Sequence, residues 1–149
     1  MNQRRKAVIF DWMRTLFDPT TGALVPGVRE TLRVARDRGY FLVVLTRREG
    51  DREQLIGSLL GRSLIDDVVI VDRKSADELR KYFDEKRIDP ASSYMVGDRV
   101  RDEIVIGNRL GIQTVWVRIG KFSTEVPRDK TEMPMKTITV LTDLRLVLK

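Results

Sequence analysis

Asp11, Thr46, Lys74 and Asp98 stand out because each lies at or just beyond the end of an apolar run, and Asp102 follows Asp98 at a spacing that lets two carboxylates share a metal. They bring together carboxylates, a hydroxyl and a cation. The chain contains 0 histidines and 0 cysteines. That excludes imidazole bases, His-ligated zinc, thiolate nucleophiles and disulfides. Any catalysis must therefore run on carboxylates, lysine, arginine, hydroxyls or a bound hard cation.

The elements that must position these residues alternate along the chain. Ala7–Phe10, Phe41–Leu45, Val68–Val71, Tyr94–Val96 and Thr114–Val117 are short runs rich in β-branched and aromatic residues. They lack polar alternation, as strands buried on both faces of a parallel sheet do. Between them the spacing predicts four helices. The first carries Val28, Leu32 and Ala35 and stops at Gly39. The second carries Leu55, Ile56, Leu59 and Leu60 and stops at Gly61. The third carries Leu79, Tyr82 and Phe83 behind a capping box from Ser75 to Glu78. The fourth carries Ile104 and Val105 and ends near Gly111. A last strand over Thr137–Leu141 and a helix over Asp143–Leu148, with Thr142 as N-cap, complete the pattern. Repeated β-α units imply an α/β fold of three layers with right-handed crossovers. Ligands in such folds bind beyond the carboxyl ends of the strands. Just past those ends stand Asp11, Thr46, Asp72-Arg73-Lys74 and Gly97-Asp98.

At 149 residues the chain is the size of one domain, residues 1–149, with a loop over about 120–136. Its 42% hydrophobic and 34% charged content describes a soluble globular protein. No apolar run approaches the ~20 residues that span a bilayer. The basic opening is followed by only Ala7 to Phe10 before Asp11 interrupts, too short for a signal-peptide core, so a cytoplasmic location is expected. The net charge of +6 suits phosphorylated partners. Because the charges alternate in sign and do not cluster, nucleic acid is not favoured.

Phe10-Asp11-Trp12-Met13-Arg14-Thr15-Leu16-Phe17-Asp18 resembles the first motif of the haloacid-dehalogenase (HAD) superfamily, an apolar strand followed by Asp-x-Asp-x-Thr-Leu. Leu42-Val43-Val44-Leu45-Thr46 resembles the second, a strand ending in a hydroxyl, and Lys74 before Ser75 the third, a cation opening a helix. Gly97-Asp98-Arg99-Val100-Arg101-Asp102 resembles the acidic fourth motif, and Gly107 to Val117 the passage from its helix into the next strand. The resemblance covers roughly residues 6–120. It implies a Rossmann-like core with a central, mostly parallel sheet and a flap hairpin over about 17–25. Neither interval between the first three motifs is long enough for a cap domain, and capless relatives have open sites, suited to bulky phosphorylated substrates, small or macromolecular, or to closure by a neighbouring subunit.

By the same resemblance Asp11 is the nucleophile, forming an aspartyl-phosphate, and Thr15 shapes the turn beside it. Thr46 binds a phosphoryl oxygen, and Lys74 pairs nucleophile and phosphoryl group, with Arg73 the alternative one register away. Mg²⁺ is implied, held by Asp11, the Met13 backbone carbonyl, Asp98 and Asp102; Mg²⁺ favours a few carboxylates, a carbonyl and several waters. Arg47, and Arg14 where many relatives have glycine, add positive potential for phosphate.

The pattern breaks at Met13, where family phosphatases carry a second Asp that protonates the leaving group and then activates water. Such acid–base help is worth about 10²–10⁴-fold. Three functions are compatible with the break. The first is a phosphatase or phosphotransferase using another carboxylate, Asp18 or Asp102, or the substrate itself. The second is a phosphate-binding or regulatory protein that has lost turnover. The third is a dehalogenase-type carbon–halogen hydrolase, whose relatives also lack the second Asp but enclose their substrates with a cap.

Overall fold

In a computed structural model, which describes residues 3–149, five buried residues of β1 (Ala7–Asp11) occupy the middle of a six-stranded sheet. The others are β4 (Phe41–Arg47), β5 (Asp67–Val71), β6 (Tyr94–Gly97), β7 (Gln113–Val117) and β8 (Lys136–Ile138). Their order is β5-β4-β1-β6-β7-β8, and every neighbouring pair is parallel. A separate antiparallel hairpin, β2 (Phe17–Asp18) with β3 (Ala23–Leu24), comes directly after β1.

The side-chain period of two divides the sheet between two cores. Val8, Phe10, Leu42 and Val44 face one way and pack with α1 (Val28–Asp37), α2 (Arg52–Leu60) and α5 (Leu144–Val147). Ala7, Ile9, Val43 and Leu45 face the other way and pack with α3 (Ala76–Lys86) and α4 (Val105–Leu110). Helices on both faces of a parallel sheet make the three-layer, Rossmann-like fold that the alternation predicts. The strand order turns around at β1: the chain first builds outward through β4 and β5, then returns to β1's other edge with β6. That switch opens a crevice at the carboxyl ends of β1, β4 and β6.

Strand and helix boundaries differ from the expectation chiefly at the C-terminus. The predicted strand Thr137–Leu141 is β8 over Lys136–Ile138, because Leu141 instead buries itself in a 3₁₀ turn, Leu141–Asp143. Thr142 lies inside that turn, and Asp143 is the residue before α5, with no side-chain cap. The 120–136 segment contains two 3₁₀ turns, Gly120–Phe122 and Lys130–Glu132. Ser75 does cap α3, accepting from the Glu78 amide at 3.2 Å. Among the described residues no helix is long and apolar enough to cross a membrane.

Candidate active site

Asp11 is the last residue of β1 and pairs in register with Leu45, so Thr46, the next residue of β4, stands beside it at the same end of the sheet. Beyond Asp11 the chain turns sharply: the amides of Leu16 and Phe17 both donate to the Trp12 carbonyl, at 3.0 and 2.9 Å. Trp12 is fully buried and stacks on Phe17 at 5.2 Å, which anchors the turn. Thr15 is buried within it. Arg14 sits at the apex with φ 64°, a left-handed conformation that glycine adopts without strain.

Lys74 comes from the junction between β5 and α3. Its Nζ donates to Asp11 Oδ1 at 2.7 Å and to Glu103 Oε1 at 2.5 Å, and lies 3.7 Å from Asp102. Its side chain is 5% exposed, whereas Arg73 is turned to solvent. Burial opposes the ammonium charge, but Glu103, Asp11 and Asp102 outweigh it and hold the lysine protonated.

Asp98 stands just past β6 and is buried; Trp116 Nε1 donates to its carbonyl at 3.0 Å. Its carboxylate accepts from Arg14 Nε at 2.9 Å. Burial, reinforced by Asp98 and Asp102 and opposed by Lys74, raises the Asp11 pKa. Burial and the proximity of Glu103 raise that of Asp98, with Arg14 opposing.

Glu103 was not among the residues singled out from the sequence, yet it is buried within the cluster. The segment after Asp98 begins as a π-helical turn, Val100–Ile104, before continuing as α4. A π turn carries one residue more than an α turn. The inward position therefore falls five residues after Asp98, on Glu103, and not four. Asp102, expected in the metal set, stands at the rim, 3.7 Å from both Arg47 and Lys74. A signal for this existed: Glu103 and Gly107 stand four residues apart, on one face of a helix. Gly107 marks the packed face, since a Cβ there would come within 2.5 Å of Thr114.

The carboxylate oxygens of Asp11, Asp98 and Glu103 come within 4.8 Å of one another. Oε2 of Glu103 is buried without a hydrogen-bond partner. Burial and the charge of Asp11 push the Glu103 pKa up to about 8. An all-oxygen set with an orphaned buried oxygen fits a hard cation such as Mg²⁺, which would relieve the crowding of negative charge. Met13 lines the same cleft of about 370 Å³, as do Thr46, Arg47 and Arg52.

Thr46 is buried, and its Oγ1 accepts from Arg52 at 3.0 Å. Arg52, also not foreseen, is held by Glu49 at 2.7 Å and reaches Thr46 from the start of α2, six residues on. Arg47 is half exposed at the rim. Asp18 does not line this cleft; its carboxylate accepts from the Thr20 amide in the turn of the β2–β3 hairpin.

Comparison with known proteins agrees with the fold. Glyceraldehyde 3-phosphate phosphatase of Pyrococcus furiosus is 29% identical over 133 residues, covering 84% of this chain and 54% of the relative. D-glycero-beta-D-manno-heptose-1,7-bisphosphate 7-phosphatase of Haemophilus ducreyi is 26% identical, covering 78% of this chain and 81% of that protein. The chain thus spans about half the length of the first relative. Among solved structures, a HAD phosphatase from Thermococcus onnurineus superposes with a TM-score of 0.74 at 16% identity, covering 95% of this chain and 97% of that one. The HAD-hydrolase-like family profile matches residues 71–145, from the end of β5 through Lys74, the acidic segment and α4 to the start of α5. The chain belongs to the HAD-hydrolase-like family.

Proposed function

We propose that this protein hydrolyses small phosphomonoesters through an aspartyl-phosphate on Asp11, with Mg²⁺ as cofactor. One observation carries the proposal: Lys74 binds the buried Asp11 carboxylate at 2.7 Å, at the end of the central strand, in a cleft open to a phosphoryl group. The two phosphatases similar in sequence act, by their names, on phosphorylated sugars and related small molecules, which supports a substrate of that class.

In the first step an Asp11 oxygen attacks phosphorus, the ester P–O bond breaks, and the alcohol oxygen leaves and takes up a proton. In the second, water attacks the same phosphorus, the acyl-phosphate bond breaks, and phosphate departs, regenerating the carboxylate. Lys74 neutralises charge on Asp11 and on the transferring oxygens, an electrostatic contribution amplified by burial. Thr46 and Arg52 orient the phosphoryl group from the β4 side. Asp11, Asp98 and Glu103, with the Met13 carbonyl, would hold Mg²⁺, which supplies positive charge against the developing negative charge of the phosphoryl group. Arg14 and Arg47 add to the cationic wall that receives it.

No carboxylate stands at position 13. Of the two alternatives foreseen, Asp102 lines the cleft and Asp18 does not, so Asp102 is the better placed to exchange protons with the substrate. The methionine favours slow turnover, and a phosphate-binding role with little hydrolysis is the second reading. Para-nitrophenyl phosphate and a panel of sugar phosphates, assayed with and without Mg²⁺, test the proposal. Mg²⁺-dependent release that disappears in Asp11→Asn supports it. Activity surviving that substitution refutes Asp11 as nucleophile. Beryllofluoride binding without turnover selects the second reading.

A further inference from the structure

Arg14 is an unusual residue for the turn it occupies. Its φ of 64° is adopted easily by glycine or asparagine and at a cost by arginine. Backbone preference therefore does not account for an arginine there, and its side chain makes specific contacts. Nε donates to Asp98 Oδ2 at 2.9 Å, on a carboxylate only 1% exposed. The guanidinium also lies over the Phe122 ring, 4.8 Å from its centroid. Asp98 is one of the three acids whose oxygens converge as a cation site.

We infer that Arg14 is an internal competitor for the divalent cation at Asp98. A guanidinium hydrogen-bonded to that carboxylate and a dication held by the same group repel each other in a site largely shielded from water. Arg14 therefore neutralises Asp98 when no metal is bound and weakens metal affinity. Metal loading drives its side chain off Asp98. The surroundings offer it another place: Arg14 also borders a second depression of about 260 Å³ walled by Asp18, Val25, Pro26, Ile119 and Gly120. In that position Arg14 remains beside the cleft, where an incoming phosphoryl group can take the place of Asp98 as its anionic partner. Metal and phosphorylated substrate then bind with positive coupling, since each relieves the charge imbalance the other leaves.

The inference rests on the cation-site reading of Asp11, Asp98 and Glu103, and its test needs no turnover. Mg²⁺ affinity is measured by titration calorimetry on the full chain for the wild type, Arg14→Gly, Arg14→Asn and Arg14→Lys. Both neutral variants accept the left-handed backbone, so at least one is expected to fold. They should bind Mg²⁺ at least tenfold more tightly, while Arg14→Lys, which keeps the charge, stays within about threefold of the wild type. Thermal unfolding provides a second readout. The neutral variants should melt below the wild type in EDTA, where Asp98 is left buried and unpaired, and recover in saturating Mg²⁺. Unchanged or weaker affinity in the neutral variants overturns the inference, as does an absence of Mg²⁺ binding in every variant. A tighter site in a protein without phosphatase activity would leave the inference standing and refute only the proposed reaction.

Discussion

A Cβ built on Gly97 would lie 2.6 Å from Cγ of Glu103, so the glycine that ends β6 is the space into which the glutamate folds. The side chain so accommodated then accepts from Lys74 Nζ at 2.5 Å. The apposition links the end of β6 to the third motif's lysine through a residue on the π turn.

Gly97→Ala should therefore act on the site and not only on the strand. Overpacking of this kind costs about 1–3 kcal/mol, and relief by backbone shift displaces Glu103 from Lys74. Urea denaturation should show that loss. A parallel fall in Mg²⁺ affinity would show that the displacement reaches the acid cluster. A variant as stable and as active as the wild type would mean that Glu103 has another place to go.

Removing the lysine charge should be more damaging. Lys74→Met leaves Asp11 and Glu103 buried without their cation. Breaking a buried pair costs about 3–5 kcal/mol, and protonation of the stranded acids lowers the cost at acid pH. The measurement is denaturant unfolding at pH 5 and pH 8, with the larger loss expected at pH 8. Phosphatase activity should fall to background.

The raised pKa of Glu103, about 8 in place of the usual 4.5, gives a pH dependence of definite sign. Between these values the folded protein holds a proton that the unfolded chain releases, so stability falls as pH rises through this window and levels off above it. Unfolding free energies in EDTA from pH 5 to pH 9 should take that course, and Glu103→Gln should flatten it. A stability that rises with pH across the window would contradict an acid held protonated by burial.

Met13→Asp returns a carboxylate to the position beside the nucleophile. Acid–base assistance is worth about 10²–10⁴-fold when geometry is right, and a gain of at least tenfold in para-nitrophenyl phosphate turnover is expected. No gain would indicate that protons already pass by another route, with Asp102 the group to substitute next.

Much of the architecture was legible from local pattern. Apolar runs such as Ala7–Phe10 and Tyr94–Val96 read as strands covered on both faces, and the glycines at 39, 61 and 111 stop the helices between them. Strand ends in such a sheet are brought to one edge by topology, so Asp11, Thr46, Lys74 and Asp98 were readable as neighbours without knowledge of their distances. The sequence pattern carries the C-terminal strand past Ile138 because Val140 and Leu141 look like a continuation of β8. Leu141 is instead drawn into the core beside α1, a tertiary preference that local β propensity does not encode.

The sequence by itself determined the kind of chemistry open to this protein, because without histidine or cysteine only carboxylates, a hydroxyl and cations stand at the strand ends. It also determined their order along an α/β chain, since the periods of strand and helix are local properties. Only the tertiary structure decided which acid enters the cluster and which cations meet it. One extra residue in the π turn rotates Glu103 inward and leaves Asp102 at the rim. Arg14 meets Asp98 across 84 positions of sequence, and Lys74 meets Asp11 across 63. Contacts of that separation are set by how layers pack and by the cost of burying an unpaired charge, quantities that belong to the folded molecule as a whole.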